Sequence, residues 1–116
     1  DPDWGSWYAY RAVVLADTGF RPFLAVDRNS PCSSCETRPC IAACPAQAMA
    51  GGSFSLPRCA AYRLRPDSAC AFTCQARLAC PVGSVHRYDA DLLRHTYSIS
   101  LQTIREHFRA RLPAGT

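Results

Sequence analysis

Apolar positions along the chain follow two rhythms, with a stretch between them that follows neither. Ala12-Val13-Val14-Leu15-Ala16 and Phe23-Leu24-Ala25-Val26 are short apolar runs separated by the turn signal Asp17-Thr18-Gly19. Runs of this length, bounded by turn residues, predict two strands joined as a hairpin. Near the other end, Leu93, Tyr97, Leu101, Ile104 and Phe108 recur at steps of 4, 4, 3 and 4, the period of one face of a helix. Asp89 or Asp91 is placed to cap that helix, and Pro113 and Gly115 mark its end near Arg111. Residues 29–88 show no sustained period and hold every cysteine. The pattern therefore divides a single domain, 1–116, into an aromatic segment with a hairpin (1–28), a cysteine region (29–88) and a C-terminal amphipathic helix (89–112).

Composition narrows the class. The chain is 48% hydrophobic and 19% charged, which excludes a disordered tail. No apolar run approaches the roughly 18 residues that a membrane span requires, so no span is expected. The first residue is Asp1 rather than Met, as in a processed or excised piece of a longer chain, and neither a secretory leader nor a lipidation motif is visible. Eight cysteines are more than a domain of 116 residues needs as mechanical staples, so their chemistry comes before their mechanics.

The first tetrad reads Cys32-x2-Cys35-x4-Cys40-x3-Cys44, and the second Cys59-x10-Cys70-x3-Cys74-x5-Cys80. Within each tetrad only the last cysteine is followed by proline, Pro45 and Pro81. As disulfides the eight would allow 105 connectivities and would need an oxidising compartment. As zinc ligands they would fill two four-thiolate sites, but zinc modules usually place a short Cys pair in each half, and the second tetrad has no C-x2-C. As iron-sulfur ligands they are the number that two [4Fe-4S] clusters need, with short spacings in the first half and proline after the fourth and eighth. The spacing favours this third reading. Cys32 and Cys35 fit a tight loop around one corner of a cluster, with backbone N–H groups directed at sulfur. Cys40 to Cys44 fits one helical turn, Ala42 and Ala43 are small enough for close packing, and Pro45 turns the chain away.

The run from Cys32 to Pro45 resembles the first half of a bacterial two-cluster ferredoxin. The whole run to Pro81 is similar to the iron-sulfur module of epoxyqueuosine reductase, which also has a lone cysteine well before its last group. The nearest resemblance is to small bacterial ferredoxin-like proteins with C-x2-C-x4-C-x3-C-P, C-x3-C-x5-C-P-V-G and an upstream Trp-x-Ala-Tyr-Arg, here Trp7 to Arg11. It covers most of residues 4–88 and departs from the standard ferredoxin in the x4 and x5 gaps. The resemblance implies an α+β fold, a small two-cluster ferredoxin-like domain with the N-terminal hairpin and C-terminal helix attached. It also implies crossed ligation, because the cysteine before proline serves the other cluster. Cluster one then takes Cys32, Cys35, Cys40 and Cys80, and cluster two takes Cys59, Cys70, Cys74 and Cys44. Sequential ligation, with Cys44 and Cys80 kept in their own halves, is the alternative. Either way folding couples to cluster assembly, and the metal-free chain is expected to be largely unfolded between Cys32 and Cys80.

The other residues add little chemistry. His86, His95 and His107 share no ligand spacing, and only His86 is close enough in sequence to Cys80 to support a cluster. All 13 basic residues are Arg, with local groups at Arg58, Arg63 and Arg65 and at Arg105, Arg109 and Arg111. Most read as solvated surface or as charge that offsets a cluster. Trp4, Trp7, Tyr8 and Tyr10 read as packing rather than as a stacking platform for bases. The net charge of +4 counts the thiols as neutral, and two oxidised clusters of about −2 each would cancel it, so nucleic acid is not an expected partner. No nucleophile elbow, phosphate loop, dinucleotide fingerprint or H-E-x-x-H is present. The expected function is electron transfer to or from a redox partner protein, in the cytoplasm, without independent catalysis. A module of a larger reductase and a zinc-bound interaction module are the alternatives.

Overall fold

Serine and proline punctuate the cysteine region, and its first two helices begin where they fall. The computed structural model describes residues 3–4, 12–21 and 29–108. Four helices occupy them: α1 Pro39–Ala42, α2 Leu56–Arg63, α3 Gln75–Ala79 and α4 Ala90–Phe108, with a 3-10 turn at Ser84–His86 before α4. The chain divides into two compact units, Asp1–Thr37 and Arg38–Thr116.

The expected α+β fold with an N-terminal hairpin is not found. No strand occurs among the described residues. The first predicted strand, Ala12 to Ala16, is irregular, with Val13, Val14 and Leu15 each more than four-fifths exposed. Strand propensity records a fit to a half-buried pleated surface, and these side chains have no such surface. Phe23 to Val26, the second predicted strand, lies outside the described residues. Among the described residues of the first unit a tight turn follows Ser30, in which Ser33 N–H donates to the Ser30 carbonyl at 2.8 Å and Cys32 N–H to Ser30 Oγ at 3.3 Å.

In the second unit α1, α2 and α4 each have a local cause. Pro39 opens α1, where its missing N–H costs no bond, and Arg38 before it takes a left-handed φ of 41°. Ser55 caps α2, its hydroxyl accepting from Arg58 N–H at 3.5 Å, with Pro57 in the first turn. Of the two candidate caps for α4, Asp89 is used: its Oδ1 accepts from Leu92 N–H at 2.8 Å, while Asp91 lies inside the first turn. The turn into Ser84–His86 needs a φ of 66°, which Gly83 supplies without a Cβ clash.

The predicted apolar face of α4 is the one that packs. Leu101 and Ile104 are buried and Leu93, Tyr97 and Phe108 half-buried, while the predicted extension to residue 112 lies outside the described residues. This face meets α2, and α1 packs on α3. Among the described residues the buried apolar ones are Ala48, Ala60, Cys70, Ala76, Leu101 and Ile104. Three of them carry only a methyl group, so this core has little aliphatic bulk of its own.

Candidate metal centre

The two short helices carry the cysteines at their ends. Cys40 lies in α1 and Cys44 follows it, so the predicted single turn between them is present. Cys74 and Cys80 are the residues that flank α3 on either side. Packing α1 on α3 brings these flanks together, and Cys59, on α2, and Cys70, in the loop before α3, join from elsewhere in the unit.

The result is a group of thiols that feel one another's charge. Burial pushes the Cys59 thiol up; Arg63 opposes this, and Cys74, Cys44 and Cys70 add to it. Burial likewise pushes Cys70 up, opposed by the Gln75 backbone N–H bonded to its sulfur, with Cys74 and Cys44 again acting upward. Cys44, Cys59, Cys70 and Cys74 are the four that crossed ligation assigns to one cluster. The other four are Cys32 and Cys35, in the first unit, and Cys40 and Cys80, in the second. All eight are free thiols, Cys32 exposed, Cys70 buried and the rest half-buried.

Two side chains that the sequence pattern did not single out shape this group. Arg63 sits one helical turn beyond Cys59 on α2 and is only 7% exposed. Its Nε donates to the Cys70 carbonyl at 3.1 Å, Nη2 to the carbonyls of Tyr97 and Ala71 at 3.1 and 3.3 Å, and Nη1 to Ser100 Oγ at 2.8 Å. The guanidinium also lies 5.0 Å from the centre of the Tyr97 ring. Tyr97, on α4, hydrogen-bonds the Cys74 side chain, and burial, with Cys74 beside it, pushes its hydroxyl up to about 12. Arg94, also on α4, covers the ring of Phe72 at 4.8 Å. The loop from Cys70 to Cys74 is thus held from α2 and from α4. The spacing of Cys59 and Arg63, four apart behind the Ser55-Leu56-Pro57 start signal, was the clue available in the sequence.

Two buried donors lack a partner among the described residues, Thr73 Oγ1 and Arg87 Nε. Thr73 immediately precedes Cys74, and the Nη2 of Arg87 donates to the carbonyl of Cys80. Native proteins rarely leave such donors unmatched. His86, the histidine expected nearest to the sulfurs, is exposed in the 3-10 turn, and His95 and His107 are exposed on α4.

Among the described residues no group of three or more His, Cys, Asp or Glu is arranged so that it could hold a metal ion. Among the described residues no helix is long and apolar enough to cross a membrane. Trp7 to Arg11, the upstream part of the resemblance, lies outside the described residues. No protein-family model, curated protein or solved structure matches the chain.

Proposed function

We propose that this chain is an electron carrier that binds two [4Fe-4S] clusters through its eight cysteines and exchanges electrons with a redox partner protein in the cytoplasm. The observation that carries the reading is that Cys44, Cys59, Cys70 and Cys74, four residues spread over 31 positions of sequence, lie within electrostatic reach of one another, with the buried Arg63 guanidinium beside Cys59 and Cys70. Four such thiols have little mechanical use, and deprotonated they are the donor set that iron-sulfur chemistry takes. The partnerless donors of Thr73 and Arg87 fit an anionic, acceptor-rich body near Cys74 and Cys80. The small side chains of Ala48, Ala60 and Ala76 fit it too, since a cluster brings bulk that the aliphatic core lacks. Cys32, Cys35, Cys40 and Cys80 are assigned to the other cluster by motif alone.

Bound clusters supply one-electron chemistry at a potential set by charge, hydrogen bonds and burial. With clusters bound, the eight sulfurs would serve as thiolates; burial alone opposes this at Cys59 and Cys70, and the nearby Arg63 charge and, at Cys70, the Gln75 N–H work against that burial. One electron enters from a reduced partner and one leaves to an oxidised partner, with no bond of the polypeptide made or broken. Anaerobic purification followed by iron, sulfide and zinc analysis tests the reading. About eight iron and eight acid-labile sulfide per chain, with an EPR signal on dithionite reduction, are expected. A colourless protein with stoichiometric zinc overturns it.

A further inference from the structure

Arg63 is a buried cation whose acceptors among the described residues are all neutral oxygens: the carbonyls of Cys70, Ala71 and Tyr97 and the hydroxyl of Ser100. Buried charges are ordinarily paired, because an uncompensated one loses its hydration without an equal return. Among the described residues, the groups beside Arg63 able to carry the missing negative charge are the sulfurs of Cys59 and Cys70. Cys59 precedes it by one turn on α2, and the carbonyl it grips is that of Cys70 itself. As thiols these sulfurs are neutral, and as ligands of an oxidised cluster the four share a net charge of about −2, which grows on reduction.

We infer that Arg63 is the built-in counter-ion of the cluster held by Cys44, Cys59, Cys70 and Cys74, a positioning residue that raises the reduction potential of that cluster selectively over the other. This rests on the proposed electron-transfer reading and adds to it a named residue and a direction. The reduced cluster carries one more negative charge than the oxidised one, so a fixed cation beside it stabilises the reduced form more. Burial keeps solvent from screening the effect. A purely mechanical role, tying α2 to the Cys70 loop and α4, would need the fork of the guanidinium and not its charge.

Arg63→Gln and Arg63→Lys separate the two roles. Gln removes the charge and keeps a donor; Lys keeps the charge and removes the fork. Wild-type chain and both variants are purified anaerobically, assayed for iron and sulfide, and titrated by EPR-monitored reduction. In Arg63→Gln one of two midpoints should become more negative by a tenfold loss in the one-electron equilibrium, about 59 mV, with the other midpoint unmoved. In Arg63→Lys both midpoints should stay within threefold of wild type. If Gln costs the chain half its iron, retention of all of it by Lys still supports the counter-ion role. Equal shifts or equal iron loss in both variants, or unmoved midpoints in Arg63→Gln, overturn it. Wild-type protein without iron and sulfide overturns the electron-transfer reading and this inference together, whereas a loaded wild type with unmoved midpoints in Arg63→Gln removes the inference alone.

Discussion

At the scale of single residues, the side chains around the sulfurs divide into those that bind and those that condition. Tyr97 is of the second kind, and its titration reports on its setting. Burial and the neighbouring Cys74 push its hydroxyl from about 10, its value in an unfolded chain, up to about 12. Between those values the folded chain holds a proton that the unfolded chain has released, so the contribution of Tyr97 to stability is complete below pH 10 and is lost as pH rises towards 12. Tyr97→Phe should therefore show a shallower fall in thermal midpoint than wild type from pH 10 upward, measured on the anaerobically purified chain. Identical slopes would contradict this environment for Tyr97. From sequence alone Tyr97 counts only as one step of an apolar face, and Arg63 as one of three neighbouring arginines. The place of Arg63 one turn beyond Cys59 is a local feature, but its burial against α4 follows from contacts with residues 34 and 37 positions away, which no local pattern encodes.

At the scale of elements, α4 is the piece whose existence and buried face follow directly from a 3.6-residue period. Its start is a choice between two aspartates, settled by geometry, since only Asp89 has its carboxylate against a first-turn N–H. Asp89→Ala should cost about 1 kcal/mol and Asp91→Ala clearly less, because the latter loses only a favourable charge near the positive end of the helix. Chemical denaturation of the two variants checks the ranking, and equal losses would contradict it. The predicted hairpin failed for the opposite reason. A strand is completed by its neighbours, and Ala12 to Ala16 has an apolar composition but an exposed, irregular backbone. The one-turn helix at Cys40 was legible because Pro39 and the x3 spacing are local signals.

At the scale of the whole molecule, the second unit buries little aliphatic mass, and the proposed clusters would act as part of its core. Removing iron with a chelator and oxidant should then loosen the segments that carry the ligands. Amide exchange of the stripped chain should show protection lost across α1, α2 and α3, residues 39–80, rather than at isolated positions. A stripped chain with native protection there would mean that these helices stand without metal. The net charge of +4 takes a different meaning at this scale, because part of the Arg excess is placed inside the fold at Arg63 instead of on a basic surface.

The sequence by itself determined the number and spacing of the cysteines, the prolines that end each tetrad, the period of α4 and the short turn at Cys40. All of these depend on residues within a few positions of one another, where covalent geometry and side-chain chemistry act directly. Tertiary structure alone decided that the N-terminal apolar run forms no strand and that Arg63 is buried against the Cys70 loop and α4. Those outcomes depend on which surfaces meet. A thiol or guanidinium acquires its environment from packing partners far along the chain, and that environment governs its charge.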